Sequence, residues 1–351
     1  MKYVNKLCAD VGTANCPCPL AETGDCLICG RLSGKDCSDC KWSGVCIYNE
    51  YIQNDKIIRN RRKNFRASIV EKREYENGVG VMALKVPRGF ALEASFPGSF
   101  IFLNGDDRSE FSNVPISVMR SDIEKGMVHI AFKIISAKTK LLSKVQGSIM
   151  LRGVYRNGLL GKGLPGMERD VTAKSGRPAR WLIITKGLGF APAVNILNWA
   201  GGRAVSKILM DDEKAEGSVI EDCFLEAGLN FDEAVSYNEK ELTQEEKNRA
   251  DSTIKIEKTP LWDIAGATGD MQEGRVRIKT GQFDRVFILA SDYYIASLKS
   301  KLDIPDDKLV FSNNFHMCCG EGICGACSHA EGAGDSRKMC KCRYADISEL
   351  L

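Results

Sequence analysis

The sequence predicts an α/β plus β chain: an antiparallel β-barrel or sandwich, then a parallel α/β domain, with a cysteine-rich segment before the first and another after the second. Three observations carry this expectation. Short β-like runs separated by turns fill residues 64–155, the spacing of an antiparallel sheet. From residue 177 onward strand-like and helix-like stretches alternate, as βαβ units require. Eight of the fifteen cysteines lie within residues 1–46 and six within 318–342, leaving only Cys223 between the groups.

With 351 residues the chain exceeds one ordinary core, since domains usually run to roughly 100–200 residues. The expected division is 1–60, 61–176, 177–305 and 306–351. Apolar residues make up 44% and charged residues 27%, enough to build ordinary cores. A balance of 49 basic against 46 acidic residues, net +3, argues against nucleic acid or an anionic membrane as the main partner. No apolar run reaches about 18 residues, and the first residues lack the apolar stretch of a signal peptide, so a cytoplasmic protein without a membrane span is expected. Cysteines in such a chain bind metal more often than they pair as disulfides.

Residues 1–60 show no sustained helical or strand period and need something other than a hydrophobic core to hold them. The hooks Cys26-x2-Cys29 and Cys37-x2-Cys40 enclose seven residues and can converge on one tetrahedral ion or one cubane, so zinc and a [4Fe–4S] cluster both stand. The basic run 56–63 reads as a solvated linker. Barrel strands are expected at 64–75, 79–86, 98–104, 127–135 and 147–155.

The second regime opens with an apolar strand at 181–185, a glycine turn, and a helix at 191–200 with Pro192 in its first turn and Gly201-Gly202 beyond its end, as helix termini prefer. Gly187 and Gly189 would let backbone approach a pyrophosphate at the following helix N-terminus; tight packing is the alternative use of the same glycines. Further strands are expected at 204–210 and 284–290, and a helix from Tyr293. Asp211, closing the second of these strands, could accept a ribose 2′-OH.

Cys319-x4-Cys324-x2-Cys327 followed by a later cysteine has the spacing of a plant-type [2Fe–2S] loop. Three ligands come from one tight loop and the fourth from a returning segment, where both Cys340 and Cys342 qualify. Gly320, Gly322, Gly325 and Ala326 keep side chains away so that backbone N–H groups can reach the sulfurs. A zinc knuckle is the competing use of these thiols. His129, His316 and His329 are too few and too scattered for acid–base catalysis.

These motifs and their order resemble the electron-transfer subunit of type B dihydroorotate dehydrogenase and related subunits of flavin-based transhydrogenases and sulfide dehydrogenases, over roughly residues 62–345. Phe96-Pro-Gly-Ser-Phe100 resembles the turn opening a barrel strand in that family, and Pro115-Ile116-Ser117 its flavin-contacting segment. Lys138-Thr139 is similar to its FAD pyrophosphate turn, and Gly187-Leu-Gly189-Phe-Ala191-Pro192 to its nicotinamide turn. The resemblance implies an FAD-binding barrel, a domain for NAD(H) or NADP(H), and a [2Fe–2S] domain. It also implies a hetero-oligomer in which electrons pass to or from a partner flavoprotein or dehydrogenase subunit, with ferredoxin as a further candidate. Three positions depart from the family: Asn113-Val114 stand where an arginine commonly precedes Pro-Ser, Leu289-Ala290-Ser291-Asp292-Tyr293 stands where relatives carry Cys-Gly-Pro, and the turn at Thr139 lacks the family's glycines. The second departure opens the alternative of a redox adaptor whose nicotinamide site is lost.

Overall fold

The computed structural model describes residues 8–38, 40, 42–105, 113–172, 178–212, 217–229, 231–233, 254–266, 276–331 and 335–343. Among its described residues the N-terminal segment carries two short α-helices, α1 (Leu20–Thr23) and α2 (Ile47–Gln53), and a 3-10 turn at Arg31–Ser33. Its own core is small: Ala21, Cys29, Leu32, Ile47 and Ile58.

Six strands then close a barrel: β1 (Phe65–Glu74), β2 (Val79–Lys85), β3 (Phe100–Asn104), β4 (Val114–Asp122), β5 (Met127–Lys133) and β6 (Ser148–Tyr155), in the order β1-β2-β5-β4-β3-β6. All neighbours pair antiparallel, so closure leaves no unpaired edge. Two helices interrupt the strand sequence, α3 (Arg88–Ala94) and α4 (Ala137–Lys144). Six residues of β2 are buried in succession because its two faces meet different cores. Met82 and Leu84 point into the barrel with Ile130 and Phe132. Val79 and Val81 instead share a core with the second half of the chain.

That half begins with the short strand β7 (Leu159–Leu160) and helix α5 (Leu164–Thr172). It continues through β8 (Ala179–Lys186), α6 (Phe190–Ala200), β9 (Ala204–Asp211), α7 (Gly217–Glu226), β10 (Phe231–Glu233), β11 (Ile254–Lys258), β12 (Ile264–Gly266), β13 (Val276–Ile278), β14 (Arg285–Leu289), α8 (Asp292–Leu302) and β15 (Leu309–Ser312). The main sheet runs β10-β11-β9-β8-β14-β15-β7, parallel except for β7. From β8 the chain steps outward to β9 and beyond, then returns on the other side at β14, so the strand order reverses between β8 and β14. A crevice at the carboxyl ends of the strands is expected there.

The parallel α/β arrangement and the barrel are those the sequence predicts, but their junctions differ. The last barrel strand ends at Tyr155, not near 176, because β7 leaves the barrel to pair with β15 (Phe311↔Leu160). β15 is itself part of the sheet, so the cysteine loop starts after Ser312 and not at 306. The loop closes with the hairpin β16 (Ser328–Glu331) and β17 (Asp335–Lys338). It packs into one cluster with Phe100, Phe102 and Tyr155 of the barrel and with Phe311 of the sheet.

Candidate functional site

The loop after β15 brings together four of the predicted thiols. The Cys340 sulfur lies beside those of Cys319 and Cys327, and the Cys324 sulfur beside that of Cys319. The proximity of Cys340 pulls the Cys319 and Cys327 thiols down, while Cys340 itself is pushed up by the same two neighbours and by burial. Backbone joins in: Glu321 N–H lies 3.3 Å from Cys319 Sγ and Cys340 N–H lies 3.3 Å from Cys327 Sγ. N–H donors aimed at sulfur stabilise thiolate charge. Cys342, buried in the same cluster as Cys327 and Cys340, forms an antiparallel backbone bridge with Cys8.

Glycine is required in this loop for a steric reason. Gly320 has φ +68°, and a Cβ there would stand 2.7 Å from carbons of both Phe102 and Tyr155. Gly322, at φ +81°, lies so close to the N-terminal segment that a Cβ would meet Leu20 at 2.6 Å. The loop is thus pressed between the barrel wall and the N-terminal segment. Arg152 donates to the Cys319 carbonyl at 3.0 Å, and the Tyr155 hydroxyl donates to Glu321 at 2.9 Å. Tyr155 in turn stacks on Phe100 with ring centroids 5.1 Å apart, and Phe100 pairs across the ladder with Ser117. A line of contacts therefore runs from Ser117 through two rings to Gly320.

A buried charge cluster locks the two cysteine-rich ends together. Lys341, 1% exposed, sits 2.6 Å from both Asp10 and Glu321. Arg62 pairs with Asp10 at 2.6 Å and Glu321 at 3.5 Å, and its guanidinium lies 4.4 Å from the centre of the Tyr155 ring. Burial alone would raise the Asp10 carboxyl, but Lys341 and Arg62 outweigh it and hold it well below the usual range. Burial would likewise lower Lys341, and Asp10, Cys18 and Glu321 overcome it. Reading residues 56–63 as a solvated linker is therefore corrected for Arg62, which is buried, while Arg61 pairs with Glu22. Sequence reasoning missed this cluster, because a basic run does not announce which member turns inward.

In the N-terminal segment the predicted hooks are not equivalent. Cys29 N–H donates to Cys26 Sγ at 3.4 Å, the turn expected of a Cys-x2-Cys hook. Cys37 and Cys40 are exposed, whereas Cys8 and Cys18 are buried. Among the described residues no three His, Cys, Asp or Glu side chains stand at the spacing of a single-ion site.

On the barrel, Pro115 is exposed, Ile116 buried and Ser117 half-buried. Thr139 is buried, and its hydroxyl caps α4: it accepts from the N–H groups of Ile135 and Ser136 while Ser136 Oγ accepts from Thr139 N–H. A phosphate could meet only the first N–H groups of α4 and Lys138, which is exposed.

The turn after β8 lies at the strand-order reversal. Gly187 takes φ +54°. Gly189 is needed for packing, since a Cβ would stand 2.0 Å from the Leu289 carbonyl oxygen. Ala191 is buried within α6 and Pro192 half-buried. Asp211 is already engaged: Lys186 Nζ lies 2.5 Å from its carboxylate, and Leu261 N–H donates to it at 3.0 Å. Lys186 also rests 5.1 Å from the Trp262 ring centre and 5.2 Å from that of Tyr294. Across the reversal, Ser312 Oγ and Asn314 Nδ2 both donate to the Ala290 carbonyl at 2.8 Å, tying the altered Ala290-Ser291-Asp292 segment to the start of the cysteine loop.

No family model matches the chain. A relative described as an uncharacterized protein in the adh 3′ region of Clostridium beijerinckii is 24% identical over 279 residues, 78% of this chain and 82% of the relative. Among solved structures the chain is similar to an NADH-dependent reduced ferredoxin–NADP oxidoreductase, at 16% identity and TM-score 0.45 over 78% of this chain and 84% of that one. It is also similar to phthalate dioxygenase reductase, at 12% identity and TM-score 0.44 over 84% of this chain and 97% of that one. No helix among the described residues is long and apolar enough to cross a membrane.

Proposed function

We propose that the chain is an electron-transfer subunit of a flavin- and iron–sulfur-dependent oxidoreductase, moving electrons between NAD(P)H, FAD and a [2Fe–2S] cluster to or from a partner flavoprotein. The observation that carries this reading is the convergence of Cys319, Cys324, Cys327 and Cys340 with backbone N–H groups on their sulfurs. That donor set fits a [2Fe–2S] cluster, and Cys340 is the fourth ligand in this reading. The resemblance to the dihydroorotate dehydrogenase electron-transfer subunit supports the flavin. Pro115, Ile116 and Ser117 would hold its ring and the α4 N-terminus with Lys138 its phosphates; Thr139 fits as the cap of α4 and not as a phosphate ligand. Flavin, when bound, takes two electrons together and releases them singly, as a one-electron cluster requires. The chain's own contribution is placement: Phe100 and Tyr155 bridge the Ser117 strand and the Gly320 backbone, and the buried pairs around Lys341 fix the loop.

A second reading, a redox adaptor that relays electrons between partners with its nicotinamide site lost, is favoured by one observation. Asp211 is spent on Lys186 and Leu261 N–H, so a ribose would have to displace an internal ion pair. Anaerobic titration of the flavin-loaded protein with NADH and NADPH separates the two. Bleaching of flavin absorbance supports the enzyme; a silent spectrum, with dithionite still reducing the cluster, supports the adaptor.

A further inference from the structure

We propose that Cys8, Cys16, Cys18 and Cys26 form a second metal centre, which takes a [4Fe–4S] cluster. These four cysteines, one of them from the hooks read in the sequence, wall a single small cavity together with Leu20 and Ile28. Cys18 lies within electrostatic reach of Cys8, Cys16 and Cys26, and Cys26 Sγ accepts from Cys29 N–H at 3.4 Å. Such an N–H donor is what a thiolate of an iron–sulfur cluster uses to spread its charge. Cys29 does not line this cavity, and Cys37, Cys40 and Cys46 are exposed.

The class of metal follows from the thiolate count and the surroundings. The four sulfurs share one wall, and a [4Fe–4S] cluster takes four thiolates. The cavity is mainly apolar, and both the Lys341 ammonium and the Asp10 carboxylate paired with it lie within electrostatic reach of Cys18. A metal would also explain how a segment with so small a core stays folded. Leu20, on the cavity wall, is the side chain that a Cβ at Gly322 would strike. One leucine therefore separates this cavity from the C-terminal cysteine loop. Use of the centre as a one-electron relay rests on reading that loop as a [2Fe–2S] site; the centre itself does not.

The test uses the full chain purified without oxygen, with iron, acid-labile sulfide and zinc counted. Cys16→Ser and Cys26→Ser should each lose about four irons and as many sulfides per chain while keeping the reduced-state [2Fe–2S] resonance. Cys37→Ser and Cys40→Ser should lose neither. Unchanged iron in C16S, loss of iron in C40S in its place, or zinc instead of iron overturns the proposal. Because loss of a ligand can unfold the segment, the unaltered protein supplies a second readout, alkylation by iodoacetamide followed by mass spectrometry. Cys37, Cys40 and Cys46 should label at once, and the half-exposed Cys16 and Cys26 only after the iron is stripped. Labelling of Cys16 and Cys26 as fast as Cys37 in the unstripped protein contradicts the proposal. The [2Fe–2S] resonance is read separately, so its absence bears on the C-terminal loop alone.

Discussion

His129, buried on β5, receives a hydrogen bond from Arg120 at 3.2 Å on Nδ1. Burial first, and then the Arg120 charge, push it down to about 4. Between that value and the ordinary histidine value of about 6.5, the unfolded chain binds a proton that the folded chain does not. Stability therefore rises with pH across this window and falls as acid is added. Unfolding free energies from urea titrations at pH 7 and pH 5 should differ by on the order of 1 kcal/mol or more in the natural protein, and by less in His129→Gln; equal pH slopes in the two would refute the assignment. Gly322 is the other informative single residue. Gly322→Ala should cost about 1 kcal/mol or more through its positive φ and loosen the contact with Leu20, read as faster proteolysis within residues 1–60. At this scale the spacing of Cys319, Cys324 and Cys327 was legible because ligand geometry constrains neighbours in the chain. The proposed choice of Cys340 over Cys342 was not, since it depends on which of two nearby buried cysteines lies beside Cys319 and Cys327.

Among the elements, α4 and the β8 turn show what local pattern does and does not reveal. Ser136 and Thr139 form a reciprocal cap, so Ser136→Ala should destabilise the protein by roughly 0.5–2 kcal/mol, measured by thermal unfolding; no change would mean that the cap is redundant. A Ser-x-x-Thr string before a helix is legible as a cap, and the resemblance drew attention instead to a phosphate role for the same threonine. The glycine turn after β8 was legible in place and type, but the engagement of Asp211 was not, because Leu261 lies 50 residues away. Lys186→Met should leave Asp211 buried without its cation and cost roughly 3–5 kcal/mol, lowering the melting temperature. A melting temperature unchanged from that of the natural protein would show that the pair contributes little.

For the whole molecule, the barrel and the parallel sheet were legible from local pattern, since short β-like runs between turns and a strand–helix alternation each specify a layer type. What joins them was not. Lys341 and Asp10 are 331 residues apart, and no local pattern links a lysine near one end to an aspartate near the other. Their pairing places two cysteine-rich ends side by side against the barrel wall at Tyr155. Lys341→Met should therefore release residues 1–60 to protease while leaving the barrel and sheet intact, and wild-type resistance in that variant would remove the clamp from the account.

The central claim, that the C-terminal thiols hold a redox cluster, is tested most directly by electron paramagnetic resonance of the anaerobically purified, dithionite-reduced full chain, compared between Cys340→Ser and Cys342→Ser. A [2Fe–2S] resonance present in the natural protein and in C342S but lost or shifted in C340S is the predicted result. A reduced protein with no such resonance and no acid-labile sulfide, or a resonance that survives C340S and vanishes in C342S, would contradict it.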